Sequence, residues 1–247
     1  MIRLDKYLAD MGVGTRTEVK KYIRQGKIKI DGMVEKSPET KVDIEKQTVT
    51  YQEQTVGYSA FEYYMLNKPA GVISATEDKK ERTVVDLLTD KKRKDLFPVG
   101  RLDKDTEGLL LITNDGELAH QLLAPKKHVD KVYYAKVRGV VTQEDIEAFK
   151  IGVSLGKNSL GEEEIAKPAK LTILVSDEIS EIELTIQEGK FHQVKRMFLS
   201  VGKEVIYLKR LSMGSLVLDE GLQLGEYRPL TEEEVKRLRL EKSKSKE

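Results

Sequence analysis

The first fifty residues alternate apolar and polar positions in a way that predicts two helices and a hairpin. Apolar residues at helical spacing mark the first helix, and they are Leu4, Leu8 and Met11. A capping box formed by Thr15 and Glu18 begins the second helix. The segment 27–30 then alternates like a strand, and Asp31-Gly32 predicts a tight turn back. The pattern therefore indicates a small separate unit over residues 1–51.

Residues 52–60 have no periodic pattern and few apolar side chains, so we interpret them as a linker. Strand-like runs follow at 61–66, 108–113, 131–138, 169–175, 181–187 and 205–211. Helical patterns lie between them at 83–88, 117–123, 143–149, 191–200 and 232–240. This mixture predicts an α+β domain over 61–240 around a largely antiparallel sheet. The polar end, 241–247, is expected to be disordered.

Charge is distributed unevenly along the chain. The net charge is only +1, yet the segment 16–29 contains six basic residues and a single acidic one. A local basic surface on a nearly neutral protein is typical of nucleic-acid docking. We expect five of these residues to bind RNA, and they are Arg16, Lys20, Lys21, Arg24 and Lys27.

Composition excludes several kinds of site. The chain has no cysteine, which rules out disulfides, thiol chemistry and cysteine-ligated metals, and its three histidines have no ligand-like spacing. We expect no bound metal. The N-terminus lacks the apolar run of a signal peptide, and no apolar stretch approaches the length of a membrane span. We therefore expect a cytoplasmic protein that does not interact with membranes.

The densest candidate chemistry lies in the segment 98–108, which reads PVGRLDKDTEG. This polar loop would present Asp103 just before a buried strand, with Arg101 two residues away. A loop carboxylate braced by a sheet is both accessible and fixed in direction, and a nearby cation keeps it ionised. From the residues alone the alternative stays open that Asp103 and Asp105 are ordinary turn formers.

Two further segments carry candidate ligands. Lys195 and Arg196 lie on a predicted amphipathic helix and could supply cations to a phosphate or to Asp103, although a solvated basic face is the alternative. Tyr133 and Tyr134 are adjacent in a predicted strand, so their rings point to opposite faces. One ring could stack on a base, and packing in the core is the alternative interpretation.

These segments together resemble a known family. The string GRLDKDTEGLLLITNDGELAHQL resembles the signature of pseudouridine synthases, specifically the bacterial branch that modifies ribosomal RNA. The N-terminal string RLDKYLADMGVGTRTEVKKYIRQGKIKIDG is similar to the S4 RNA-binding domain. Further similar blocks are YYMLNKPAGVISAT, DKVYYAKV, EGKFHQVKRMFLSVG and LSMGSLVLDEGLQLGEYRPLTEEE. The resemblance spans residues 1–240, and its blocks are most similar to the enzymes that modify 16S RNA.

The resemblance implies roles for five residues. Asp103 falls on the catalytic aspartate of the family. Tyr133 matches the aromatic residue that stacks on the target uracil, and Lys195 matches the basic residue that pairs with the catalytic carboxylate. Leu211 matches an apolar residue lining the uracil pocket. Arg101 is expected to hold a backbone phosphate or to position the flipped nucleotide.

The implied reaction breaks the N1–C1′ bond of a uridine, rotates the uracil and joins C5 to C1′. Because this is an isomerisation, we expect no cofactor. The expected partner is ribosomal RNA, and the similarity of the sequence blocks implies that it is 16S RNA. The enzyme is expected to be a monomer. Whether Asp103 attacks C1′, attacks C6 or removes the 2′ proton to give a glycal stays open, and the glycal route is preferred.

Three other functions remain to be weighed. The same chemistry on 23S RNA is possible, because large-subunit enzymes share the core motifs. A non-catalytic RNA-binding assembly factor would use the S4 unit alone. A nucleoside hydrolase or glycosidase would need a second carboxylate, for which Asp105 and Glu107 are the nearby candidates.

Overall fold

A computed structural model describes residues 1–124, 127–157 and 160–241. The chain forms two compact units, the first comprising residues 1–62 and 88–96 and the second the remaining described residues. Apart from Glu241, the tail that we predict to be disordered lies outside the described residues.

The first unit packs two helices on small antiparallel sheets. Its helices are α1 (Leu4–Asp10) and α2 (Arg16–Arg24). Its strands are β1 (Ile2–Arg3), β2 (Ile28–Ile30), β3 (Met33–Val34), β4 (Lys41–Val42), β5 (Val49–Tyr51) and β6 (Gln54–Thr55). The capping box predicted at Thr15 and Glu18 is confirmed. The Thr15 N–H donates to the Glu18 carboxylate at 2.7 Å, and the Glu18 N–H donates to the Thr15 hydroxyl at 3.3 Å. The predicted turn is also confirmed, since Asp31 and Gly32 both have positive φ.

The residues expected to form a linker at 52–60 belong to this unit instead. Gln54–Thr55 form β6 beside β5, and Val56 and Tyr58 pack against the apolar core. The Tyr7 hydroxyl donates to the Val56 carbonyl at 2.5 Å, and the Tyr7 and Tyr58 rings lie 5.0 Å apart. Few apolar residues suffice here because Val56 and Tyr58 both pack against the core, and two such contacts do not create a periodic pattern.

The second unit is built on one large sheet. Its helices are α3 (Gly116–Leu123), α4 (Gln143–Ile151), α5 (Gln193–Ser200) and α6 (Glu232–Leu240). Its strands are β7 (Tyr63–Lys68), β8 (Phe97–Pro98), β9 (Glu107–Thr113), β10 (Lys131–Arg138), β11 (Ser154–Lys157), β12 (Glu163–Ile165), β13 (Lys170–Val175), β14 (Ile179–Ile186), β15 (Glu204–Met213), β16 (Leu216–Val217) and β17 (Tyr227–Pro229).

The strand order confirms the predicted α+β class. Among the described residues the sheet runs β13-β14-β10-β15-β9-β7-β17, with β8 on β9 and β16 on β15. Neighbouring strands are antiparallel, except that β9 and β15 run parallel. Apolar residues of β7 and β9 form a core with α3 and α6. The segment that carries Asp103 leads directly into the start of β9.

Two predicted helices differ from the structure. The helix expected at 83–88 is only a short 3-10 turn, Val85–Leu87, because the Val84 N–H and the Arg82 carbonyl are bonded to Ile73. The helix expected from residue 191 begins at Gln193, because His192 adopts a left-handed conformation with φ of 48°. In the ranges that the structure describes, no helix has the length and apolar character needed to cross a membrane.

Candidate active site

The loop that carries Asp103 is folded around a buried lysine. Lys68, the last residue of β7, is completely buried. Its ammonium donates to four backbone carbonyls, those of Thr106 (2.8 Å), Pro69 (3.0 Å), Asp103 (3.1 Å) and Lys104 (3.3 Å). Burial lowers the pKa of Lys68 to about 8, against the opposing effect of the nearby carboxylates. The side chain is therefore still mostly charged at neutral pH, and one cation fixes the path of the loop between β8 and β9.

A serine and a backbone N–H brace the same loop from a second side. The Ser74 hydroxyl donates to the Leu102 carbonyl at 2.8 Å and accepts from the Leu102 N–H at 3.0 Å. The Gly71 N–H donates to the Lys104 carbonyl at 2.7 Å. Leu102 is buried, whereas the Asp103 side chain keeps 28% of its surface exposed. The loop thus holds Asp103 at the surface in a fixed orientation.

Two side chains from the start of α5 face the Asp103 carboxylate. The His192 Nε2 lies 3.6 Å from one carboxylate oxygen, and the Lys195 Nζ lies 3.5 Å from the other. The left-handed backbone of His192 directs its ring toward the loop, where it stacks on Phe191 with centroids 3.7 Å apart. Of the two cations predicted on this helix, Lys195 is the one that meets the loop.

Lys195 binds a second carboxylate more closely than it binds Asp103. Its Nζ donates to both oxygens of Asp105, at 2.6 and 2.8 Å. These hydrogen bonds hold the pKa of the Asp105 carboxyl below its usual range. The ion pair expected between Lys195 and Asp103 is present at the longer distance, so Lys195 is shared between the two carboxylates.

One cavity brings four of the sequence-predicted residues together. Arg101, Asp103, Tyr133 and Lys195 all line it, and His192 and Thr106 line it as well. Arg101 is exposed, whereas Tyr133 is almost fully buried on β10. The Tyr134 side chain serves a different purpose, because its hydroxyl donates to Glu181 at 2.7 Å on the neighbouring strand. The two tyrosines thus have separate environments, as their adjacency in a strand predicts.

Leu211 is not among the residues that line this cavity within the described part of the chain, and Leu208 represents β15 there. The reason lies in the register, because Val132 pairs with Ser212 while Tyr133 pairs with Arg210. Leu211 is therefore the extra residue of a β-bulge, a feature that redirects side chains beside functional sites. Sequence spacing does not reveal this shift.

Arg196, the other cation predicted on α5, binds neighbouring parts of the protein and does not line the cavity. Its guanidinium lies 2.8 Å from the Glu164 carboxylate and donates to the Leu155 carbonyl at 2.7 Å. It also donates to the Phe191 carbonyl at 3.1 Å. Arg196 thus ties α5 to the β11–β12 hairpin, and the cavity receives Lys195 alone of this pair.

The residues expected to bind RNA lie around α2 in the first unit. Val19 and Ile23 are buried, so the other side of the helix faces outward. Lys20 is half-buried, with its Nζ 3.9 Å from Asp5, and Lys27 lies over the Tyr22 ring at 5.4 Å. The remaining three predicted residues are exposed, and they are Arg16, Lys21 and Arg24.

Sequence reasoning missed three residues of the site. Lys68 follows a run of strand residues in the YMLNKP block, and a lysine ending a buried strand was a usable signal. His192 precedes the Gln-Val-Lys run that contains Lys195, so its proximity to Lys195 was also predictable. Ser74 gave no signal. Within the described residues, no group of three histidine, aspartate or glutamate side chains is arranged to hold a metal ion.

Comparison with known proteins identifies the family. Residues 62–200 match the family model described as RNA pseudouridylate synthase, and residues 2–48 match the S4 domain model. The chain belongs to the RNA pseudouridine synthase family. As a pseudouridine synthase it is an isomerase, which confirms the enzyme class expected from the sequence.

Relatives of this pseudouridine synthase match it over nearly their whole length. An uncharacterized RNA pseudouridine synthase of Bacillus subtilis is 51% identical, covering 95% of this chain and 97% of its own. The ribosomal small subunit pseudouridine synthase A of Haemophilus influenzae is 39% identical, with 96% and 99% covered. The ribosomal large subunit pseudouridine synthase B of Bacillus subtilis is 42% identical, with 97% and 96% covered.

A solved structure agrees with the fold. The crystal structure of a pseudouridylate synthase is 38% identical and superposes with a TM-score of 0.66, covering 96% of this chain and all of the other. The S4 domain and the mixed-sheet domain expected from the sequence are therefore both confirmed.

Proposed function

We propose that this enzyme converts one uridine of ribosomal RNA to pseudouridine, with Asp103 as the catalytic residue. The observation that carries the proposal is the position of the Asp103 carboxylate, on a loop fixed by Lys68 and in one cavity with Tyr133 and Lys195. A carboxylate held rigidly beside a cation is prepared to stabilise positive charge at a sugar carbon.

The proposed substrate is 16S RNA. A relative named for the small subunit, at 39% identity over nearly the full length, supports it. The second candidate is 23S RNA, because a relative named for the large subunit is 42% identical over a similar length. The YMLNKP opening at 64–69 and the KPA segment at 167–169, which resemble the 16S enzymes most, favour the first candidate.

The proposed chemistry begins when the target uridine leaves its stack, at a cost of a few kcal/mol. In this proposal Tyr133, which lines the cavity with Asp103, contacts the uracil. Arg101, which is exposed at the same cavity, holds the adjoining phosphate. In the preferred route Asp103 removes the 2′ proton while uracil departs with the electron pair of the N1–C1′ bond. Asp103 then returns the proton to C2′ as C5 attacks C1′, and the C5 proton is lost while N1 gains one.

The hydrogen bonds of Asp105 and Glu107 argue against a hydrolase. A glycosidase needs a protonated carboxyl group to assist the leaving group. Both oxygens of Asp105 accept hydrogen bonds from Lys195, which lowers the pKa of Asp105, and Glu107 accepts a hydrogen bond from the Tyr207 hydroxyl at 2.7 Å. Neither Asp105 nor Glu107 is among the described residues that line the cavity. A purely RNA-binding factor would need no such arrangement around Asp103.

We also propose that the S4 unit docks the RNA through α2 and that the enzyme acts as a monomer. The basic residues around α2 then supply phosphate contacts separate from the chemistry.

Mapping pseudouridine in ribosomal RNA tests this proposal. Cells that lack the gene should lose pseudouridine at one position of 16S RNA and regain it when the wild-type gene is returned. Loss at a 23S position instead would assign the enzyme to the large subunit. If every ribosomal pseudouridine persisted without the gene, the proposed substrate would be wrong.

A further inference from the structure

A second basic segment belongs to the first unit and lies outside the S4 match. Residues 88–96 read LTDKKRKDL, with four consecutive basic residues at 91–94. Although 88–96 follow the 3-10 turn of the second unit in sequence, they fold with residues 1–62. The RNA-binding residues predicted on and after α2 do not include this segment, and the proposed chemistry does not use it.

Arg93 anchors this segment. Its side chain is only 6% exposed, and its guanidinium donates to both carboxylate oxygens of Asp95 at 2.5 and 2.8 Å. It also lies 3.4 Å from Asp10, donates to the Ser59 carbonyl at 3.3 Å and faces the Tyr58 ring at 6.0 Å. The charge of Arg93 is thus neutralised inside the unit, and the backbone on either side of it is held in place.

The lysines on both sides of Arg93 are exposed, and they are Lys92 and Lys94. The Lys94 side chain lies close to Gly12, in the turn between α1 and α2. A Cβ added at Gly12 would lie only 3.3 Å from it. Lys91 is different, because its ammonium donates to the Leu88 carbonyl at 3.1 Å. Two cations are therefore presented outward from a fixed backbone.

Lys92 and Lys94 line a cleft of about 570 Å³ that lies within the first unit. Its other wall includes Met11, Val13 and Tyr51. The Tyr51 ring stacks on Tyr22 of α2, with centroids 5.4 Å apart and planes at 23°. The Lys27 ammonium lies over the same Tyr22 ring. A path of aromatic rings and cations thus joins the cleft to the basic surface around α2.

Three carboxylates near these two lysines are bound by other groups. Asp10 and Asp95 are bound to Arg93. Glu18, which interacts electrostatically with Lys94, is occupied by the N-cap of α2, where it accepts from the Thr15 N–H and hydroxyl at 2.7 Å. In the part of the chain that the structure describes, neither Lys92 nor Lys94 forms an ion pair. The Glu62 carboxylate accepts from the backbone N–H groups of Lys92 and Arg93 at 3.3 and 3.1 Å. The cleft therefore presents two exposed lysine ammonium groups outside ion pairs, beside an apolar wall.

We propose that this cleft is a second RNA-binding site of the first unit, which takes a single-stranded segment continuing from the strand bound at α2. Lys92 and Lys94 neutralise phosphates of that segment, and the apolar wall contacts its sugars and bases. Grooves that combine cations with aromatic and apolar side chains are typical of single-strand binding. The inference rests on the proposed function only in taking RNA as the substrate.

Binding measured over a range of salt concentrations tests this site. The full-length double variant Lys92→Ala/Lys94→Ala should bind a 16S RNA fragment about tenfold more weakly at 0.2 M salt. The slope of log affinity against log salt should fall by about 0.7 for each phosphate that the variant no longer neutralises. The matched control is Lys41→Ala/Lys46→Ala, which removes two exposed lysines of the same unit and should keep the wild-type slope. An unchanged slope in the Lys92 and Lys94 variant, or an equal decrease in the control, overturns the proposal.

Crosslinking provides a direct second readout. Because the chain has no cysteine, Lys94→Cys and Lys41→Cys each create a single attachment point for a photo-crosslinker. The probe at 94 should crosslink to the RNA and the probe at 41 should not. A probe at 94 that crosslinks only to an acidic protein added to the mixture, or to nothing, overturns the site. Pseudouridine formation by the wild-type enzyme on the same RNA is scored separately, so a failure of the proposed function is distinguished from a failure of this cleft.

Discussion

Lys68 links the sequence of β7 to the position of the Asp103 carboxylate. A buried ammonium costs free energy unless its hydrogen bonds are satisfied, and three carbonyls of the loop together with that of Pro69 satisfy this one. The same hydrogen bonds give the carbonyls of Asp103 and Thr106 a donor that water does not supply inside the protein. The loop and the lysine therefore stabilise each other.

Replacing Lys68 by methionine keeps an unbranched side chain but leaves those carbonyls without their donor. We expect the free energy of unfolding to fall by about 3 kcal/mol. We expect pseudouridine formation to fall by at least about tenfold, because the Asp103 carboxylate, which we propose to be catalytic, loses its fixed position. Urea unfolding and a single-turnover assay measure the two effects. Lys79→Met, at an exposed lysine, is the control, and equal behaviour of the two variants would contradict the role of Lys68.

The residues of the candidate site differ in how far the sequence predicts them. Asp103 and Tyr133 stand in recognisable motifs, and the structure places them in one cavity. The hydrogen bonds of Lys195 to Asp105 were not predicted, because they join residues ninety positions apart and depend on how α5 meets the loop. The position of Leu211 depends on a bulge, which is a property of strand pairing and not of the strand itself.

At the scale of the secondary-structure elements, long periodic segments were predicted well. β10 lies between β14 and β15 and alternates buried and half-buried residues along nearly its whole length, as its sequence predicts. Strands of two residues such as β1, β4 and β8 are too short to show any period, so they were missed. The helix expected at 83–88 failed because backbone bonds to Ile73 competed with it.

The N-terminus of α6 provides a pH-dependent prediction. Two hydrogen bonds from Arg228, followed by those of the Thr231 cap, lower the pKa of Glu234 to about 2. A carboxylate with a depressed pKa contributes stability that is present above its ordinary pKa of 4.5 and is lost as the pH falls toward 2. We expect the urea midpoint of the wild type to decline over that window.

The Glu234→Gln variant should show a smaller decline over the same pH window, because it has no carboxylate to protonate. Glu232→Gln in the same first turn removes the same charge and should follow the wild type. Thr231→Ala should lower stability by about 1 kcal/mol at neutral pH, the usual cost of losing an N-cap. Equal pH profiles for the wild type and Glu234→Gln would contradict this account of the cap.

At the scale of the whole molecule, the net charge is only +1, yet the basic residues around α2 and the cavity with Asp103 lie in different units. The first unit carries the exposed basic residues around α2, and the second unit carries the cavity with Asp103. Binding and chemistry should therefore respond to different substitutions.

Alanine at Lys20, Lys21 and Arg24 together should weaken RNA binding and flatten its salt dependence, by about 0.7 in slope for each phosphate left without its cation. Three exposed lysines elsewhere in the first unit provide the matched control, and they are Lys36, Lys41 and Lys46. Filter binding over a range of salt concentrations measures the slopes. A wild-type slope in the α2 variant would remove this helix from the RNA interface.

The most direct test of the catalytic assignment is the rate of pseudouridine formation in ribosomal RNA by purified Asp103→Asn enzyme. We expect a rate below about one-hundredth of the wild type, with RNA affinity retained, because the amide can replace neither the negative charge nor the base. Asp105→Asn, two residues away and bound to the same lysine, should lose much less. Pseudouridine formed by Asp103→Asn at a rate near that of the wild type would show that Asp103 is not the catalytic residue.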